Sequence, residues 1–285
     1  MTKVGIVTDS TCDLEPEELV ALGVELVPLK VLFADGASYL DWVEMRPAEF
    51  YEKLKAATEL PKTSQPSPAD FLAVYRKLAE QGCEGIVSIH LSAALSGTMQ
   101  SAILAAADSP VPVRVVDTKK VSQALGLVVK AACEARDAGL DADAVAERAE
   151  AVSAGMRLYF VLDTLHYLVK GGRAGKAQGL AASLLNIKPV LDVNAEGIIE
   201  PFKKVKGRKK AIAELAAQVA EDARQNGRLR AAVLHACTAN CASDLIAELE
   251  SSGADIDLVG VGLVGSVVGN YAGPDAIGVA YYPVG

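Results

Sequence analysis

The chain is poor in cysteine and histidine, has no long apolar run and carries no basic excess. Its 285 residues hold five cysteines, an odd number, at 12, 83, 133, 237 and 241. That count and scatter argue against a disulfide framework in a chain of this size. His235, Cys237 and Cys241 are the one grouping with a metal-like look, but no second Cys or His pair stands at zinc spacing from it. No metal site is expected. With histidine only at 90, 166 and 235, nothing positions a Ser-His-Asp triad. The apolar stretches fall well short of a membrane span, and Met-Thr-Lys leads straight into a strand rather than an apolar signal region. The expectation is a cytoplasmic protein with no integral membrane segment. The net charge of −8 and pI of about 5.1 disfavour a nucleic-acid or anionic-membrane binder, and with it a transcription regulator.

Familiar nucleotide and hydrolase signatures are missing too. There is no Gly-x-Ser-x-Gly elbow. Gly175-Lys176-Ala177 resembles the end of a P-loop, but Ala replaces the hydroxyl residue and Lys170 takes the first glycine's place. Gly260-Val-Gly262-Leu-Val-Gly265 has the spacing of a dinucleotide fingerprint. That fingerprint needs a helix after it and an acid about 20 residues on. The glycine-rich tail reads as β-like instead, so the fingerprint is rejected.

What is present describes a globular α/β protein. Hydrophobic residues make up 51% and charged residues 22%, and the length suits two domains. Strand-type runs at 3–8, 24–32, 86–90 and 113–116 alternate with helical stretches at 15–22, 46–58, 69–80, 98–107, 122–138 and 143–152. This order predicts an N-terminal parallel sheet with helices on both faces. A new block begins at Leu158, with the boundary near Gly155, giving domains 1–156 and 157–285. In the second, Glu196-Gly197 marks a hairpin between 190–193 and 198–202. A long helix over 211–225, a helix over 243–251 and strands at 229–235, 257–261 and 277–282 complete a mixed-sheet α/β domain.

Three stretches carry chemistry. In Ile86–Ala102 a buried-type strand turns through Ser92, Ser96, Gly97 and Thr98 into a helix. Free N–H groups at a helix start, with hydroxyls and a glycine beside them, suit a carboxylate or phosphate. A plain capping turn uses the same residues. At Asp9-Ser-Thr-Cys-Asp13, two acids and two hydroxyls follow the first strand. They fit either a crevice edge or a turn in which Asp13 or Thr11 caps the next helix. Between Pro61 and Pro68, three prolines hold an extended segment that can present Thr63, Ser64 and Gln65 in fixed directions. Lys203–Lys210 adds six basic residues in eight to an otherwise acidic chain. It is either a solvated face or a surface for an acidic partner.

Taken in order, Thr8-Asp-Ser-Thr-Cys-Asp-Leu14, Thr63-Ser-Gln-Pro66, His90-Leu-Ser-Ala-Ala-Leu-Ser-Gly-Thr98, Asp117-Thr118, Tyr167-Leu-Val-Lys-Gly-Gly-Arg173, Leu185-Asn-Ile-Lys-Pro189 and Gly273-Pro274 resemble the DegV family over nearly the whole chain. The resemblance implies two α/β domains with a fatty acid between them. It implies no cofactor and no catalytic turnover, but a carrier that presents the acyl carboxylate to a separate fatty acid kinase. The acyl-phosphate product feeds phospholipid metabolism. Carried over, Thr63 looks like the hydroxyl that binds the carboxylate and Ser96 its second ligand, with Gly97, Ser92, Ser64 and Tyr271 around them. Arg173, Lys204, Lys206 and Arg208 would meet the partner. Three features differ from kinase-linked members: Ala93 stands for a second serine, Tyr271 for a histidine with Asp275 replacing a following glycine, and Lys206 for an arginine. The competing reading is a stand-alone enzyme for an acyl or small phosphorylated substrate, with Ser96 as nucleophile and His90 as base.

Overall fold

A computed structural model describes residues 3–183, 187–236 and 239–284. Its elements in chain order are β1 (Val4–Asp9), α1 (Pro16–Ala21), β2 (Val24–Val27), β3 (Lys30–Leu32), β4 (Ser38–Leu40), α2 (Pro47–Ala56), β5 (Lys62–Ser64), α3 (Pro68–Glu80), β6 (Gly85–His90), α4 (Thr98–Ala106), β7 (Val113–Asp117), α5 (Gln123–Asp137), α6 (Ala142–Gly155), β8 (Arg157–Val161), α7 (His166–Lys170), β9 (Ile187–Val193), β10 (Ile199–Lys206), α8 (Arg208–Asn226), β11 (Leu229–His235), α9 (Ala239–Ser251), β12 (Ile256–Leu263), α10 (Ser266–Ala272) and β13 (Ile277–Pro283). Short 3-10 segments follow β1, at Ser10–Cys12, and α7, at Gly175–Ser183.

The strands form three sheets. The first is parallel, in the order β2-β1-β6-β7. Every residue of β1 and β6 is buried, as a sheet covered on both faces requires. One face packs Val7 and Ile86 on Phe71, Tyr75 and Ala102 of α3 and α4. The other turns Ile6 and Val87 toward α5. The second sheet has the mixed order β10-β9-β8-β13-β11-β12, in which only β11 and β12 run parallel. Its outer face is covered by α8 and α9 through Ile212, Leu215, Val219 and Leu245. Eleven of the fifteen residues of α5 are buried, because this helix touches β1 and β6 on one side and β11 and β13 on the other. A core common to both sheets results.

Two sequence expectations change here. The strand expected over 24–32 breaks at Pro28: β2 joins the parallel sheet, whereas β3 pairs antiparallel with β4 and β5 in a third, small sheet. Proline has no N–H to continue a ladder, and the next amide, Leu29 N, donates to Ser10 Oγ instead. The glycine-rich tail also contains a helix, α10, where β-like chain was expected. The dinucleotide fingerprint still fails, since Gly260 and Gly262 lie inside β12 rather than in a turn after it. Leu184–Asn186 and Cys237 lie outside the described residues.

Candidate functional site

A cavity of about 360 Å³ opens between the two larger sheets. Its walls are mainly apolar. Leu29, Leu91 and Leu95 line it from the N-terminal half, and Leu158, Phe160, Leu234 and Val264 from the C-terminal half. Val267, Val268 and Ala272 of α10 supply another wall. Two hydroxyl residues in the lining are already engaged: Thr11 Oγ1 donates to Asp9 Oδ1 at 2.6 Å, and Ser122 Oγ to Asp13 Oδ2 at 2.5 Å.

The remaining polar groups adjoin one another. Thr63 sits on β5 opposite Val31, where the surrounding prolines hold the chain extended. Its Oγ1 shares a 2.5 Å hydrogen bond with Tyr271 Oη. The Arg173 guanidinium lies over the Tyr271 ring, 5.0 Å from its centroid. Arg173 in turn donates to Gly171 O at 2.8 Å and to Leu95 O at 3.3 Å. Next to Leu95, Ser96 Oγ accepts from Thr98 N at 3.3 Å and shares a 2.9 Å bond with Thr98 Oγ1. Thr63, Ser64, Gln65, Ser96, Arg173 and Tyr271 all line the cavity. Gly97 does not, but it admits Gln65: a Cβ at Gly97 would lie 2.2 Å from Gln65 Oε1. Gln65 Nε2 donates to Gly97 O at 3.1 Å and Ser101 Oγ at 3.0 Å.

Other expected site residues have different surroundings. Ser92 is fully buried and does not line the cavity. Its Oγ donates to Gly197 O at 2.9 Å, tying the α4 approach to the β9–β10 turn. Arg208, expected on a partner surface, is half-buried and already paired within the chain. It donates to Asp163 Oδ1 at 2.7 Å and Asp275 O at 2.7 Å, with its Nε 3.3 Å from Cys241 Sγ. Lys204 and Lys206 are exposed on β10. Arg173, grouped with them by sequence, is exposed yet also part of the cavity.

His90 cannot serve Ser96 as a base. It is fully buried; Nδ1 bonds Asp9 Oδ2 at 2.9 Å and Nε2 bonds Ser88 Oγ at 2.7 Å. Tyr75 Oη donates to Ser88 Oγ at 2.8 Å, extending the chain of bonded groups beyond His90. This Tyr-Ser-His-Asp run crosses the core on the side away from the cavity, beneath Phe71. Neither Asp13 nor Thr11 caps α1, which has no side-chain cap. Asp9 caps the 3-10 turn after β1, and Asp13 bonds the distant Gly265 N at 2.9 Å. Cys12, Cys83, Cys133 and Cys241 are free thiols, and no metal-holding cluster occurs among the described residues.

Family comparison agrees with this architecture. The model of the DegV family, described as a family of uncharacterised proteins, matches residues 3–284. The chain belongs to the DegV family. A DegV domain-containing protein of Streptomyces coelicolor is 41% identical over 276 residues, 97% of each chain. A fatty-acid-binding DegV family protein from Thermus thermophilus superposes with a TM-score of 0.94 at 37% identity, covering 99% of this chain and 100% of its own. A fatty acid (stearic acid)-binding protein from Eubacterium ventriosum gives a TM-score of 0.89 at 28% identity, covering 99% of this chain and 98% of its own. The two-domain α/β fold of the DegV family is therefore the fold of this chain. No helix among the described residues is long and apolar enough to cross a membrane.

Proposed function

We propose that this DegV protein is a fatty-acid carrier whose ligand lies in the cavity between domains 1–156 and 157–285. The observation that carries the reading is the cavity's division of labour. Hydroxyls of Thr63 and Tyr271 and the Arg173 cation adjoin at one wall, and aliphatic side chains make up most of the rest. A carboxylate leaves water cheaply only where several donors or a cation replace its hydration. Thr63, Tyr271 and Ser96 offer hydroxyls, with Ser64 beside them, and Arg173 offers charge. A saturated tail gains about 0.8 kcal/mol for each CH₂ it buries, so the apolar wall supplies most of the affinity. Relatives that bind fatty acids share the fold over their full length, which supports the same ligand class here.

The second half of the proposal is presentation to a cytoplasmic kinase that makes the acyl-phosphate. Arg173 lies at the carboxylate wall and is exposed, and Lys204 and Lys206 stand on exposed β10. Titration with stearic acid tests the first half: binding with a one-to-one end point is expected, and no uptake would refute it. Reversing Lys204 and Lys206 to glutamate tests the second. Kinase-dependent acyl phosphorylation should fall with stearic acid binding retained; loss of lipid binding would refute the partner surface. The enzyme reading loses its base, because His90 is committed to Ser88 and Asp9.

A further inference from the structure

α10 is only seven residues long, yet it carries Tyr271 and three apolar lining residues of the cavity. It has no side-chain cap from its own N-cap residue. Two acids from the N-terminal half meet its first amides instead. Asp41 Oδ1 accepts from Ser266 N at 2.8 Å and, more weakly, from Val267 N at 3.4 Å. Asp13 Oδ1 accepts from Gly265 N at 2.9 Å and Trp42 Nε1 at 3.3 Å. Asp13 Oδ2 accepts from Ser122 Oγ, and Ser122 lines the cavity with φ 60° and ψ −145°, a strained backbone for a residue with a side chain. Ser122 N also donates to Thr11 O at 2.7 Å, so this strained residue is pinned from two sides.

Both carboxyls are buried, at 2% and 0% exposure, and Asp41 Oδ2 has no hydrogen-bond partner. The groups around them are Ser10, Cys12 and Asp9 after and within β1, Trp42, Ser122, Gln123 of α5 and Ser266 of α10. The strongest influences on either carboxyl include no lysine or arginine. Two buried carboxylates, the charge of Asp41 opposing that of Asp13, do not both ionise at little cost.

We infer that Asp13 and Asp41 are positioning residues for the carboxylate site: by accepting the first amides of α10 they clamp it onto the N-terminal half and so hold Tyr271 against Thr63. The inference rests on the fatty-acid reading for its functional consequence. Burial raises Asp13 well above the usual carboxylate range and Asp41 to about 7. If α10 lifts away, water reaches both acids and their ordinary acidity returns. The docked state thus holds the extra proton. By linkage, the clamp is at full strength below the ordinary carboxylate range and weakens as pH rises through about 7.

The test compares the wild-type protein with Asp41→Asn, which keeps an oxygen acceptor for Ser266 N. Between about pH 6 and about pH 8.5, stearic acid should bind the wild type about tenfold more weakly at the higher pH, and the variant with little change. Equal pH slopes in the two proteins would overturn the inference. Amide exchange in ligand-free wild type provides the second measurement and needs neither variant nor lipid. After correction for intrinsic exchange, protection of Gly265, Ser266 and Val267 should fall over that range while β13 is unchanged. Constant protection at those three amides would overturn the clamp. Failure to bind stearic acid at either pH would refute the fatty-acid reading, leaving the amide measurement to decide the clamp.

Discussion

Thr63 and Tyr271 stand 208 positions apart in the chain and share a 2.5 Å hydrogen bond in the fold. On the proposed reading, the Thr63 hydroxyl exchanges that neutral partner for a charged carboxylate when the ligand binds. Hydrogen bonds to ionised groups contribute about 1.5–3 kcal/mol, so Thr63→Val should weaken stearic acid binding about tenfold or more. Isothermal titration checks this, and an unchanged Kd would remove Thr63 from the site. Ser92 behaves differently because its hydroxyl holds Gly197 O rather than the cavity. Ser92→Ala should cost about 1 kcal/mol in denaturant unfolding and leave lipid affinity untouched. At this scale the sequence was informative where a motif was contiguous. Thr63 was legible because prolines fix its segment and the family pattern surrounds it. The true surroundings of Ser92, Arg173 and Arg208 were not, since each meets at least one partner from a segment remote in the chain.

Elements were legible where local pattern and tertiary demand agree. The parallel strands β1, β6 and β7 and the helices α3, α5 and α8 fall close to their expected spans, since local apolar pattern alone implies them. α10 was hidden because Ser-Val-Val-Gly-Asn-Tyr-Ala is weak helix-forming sequence, with two β-branched residues and a glycine. Caps from Asp13 and Asp41, more than 200 residues earlier, make good the deficit. The β9–β10 turn is the converse case, predicted from Glu196-Gly197 and found there. Gly197 has φ 78°, and a Cβ on it would meet Ser92 Oγ at 2.0 Å. Gly197→Ala should therefore destabilise the protein by roughly 1–3 kcal/mol. Chemical denaturation measures it; a neutral result would show that the turn yields without disturbing Ser92.

For the molecule as a whole, α5 packs the two sheets into one body, with its small residues Ala124, Gly126, Ala131 and Ala132 buried. The two-domain outline was readable from strand order and the family pattern. The shared helix was not, because a sequence shows that α5 has a broad apolar face but not which elements cover it. The buried acids give this body a pH signature. Burial raises both Asp13 and Asp41, so each binds a proton more tightly folded than unfolded; the contribution of Asp41 to stability is fully present below about pH 4 and is lost as pH rises through about 7. Thermal unfolding of wild type against Asp41→Asn should show the difference narrowing at acid pH and changing through neutrality; parallel curves would contradict it. The central claim, that the cavity is an acyl site, is tested most directly by native mass spectrometry of freshly purified protein followed by organic extraction. The account predicts a mass excess that resolves into one or a few fatty acids and disappears in Thr63→Val and Ser96→Ala. An empty protein that takes up no fatty acid on incubation would contradict it.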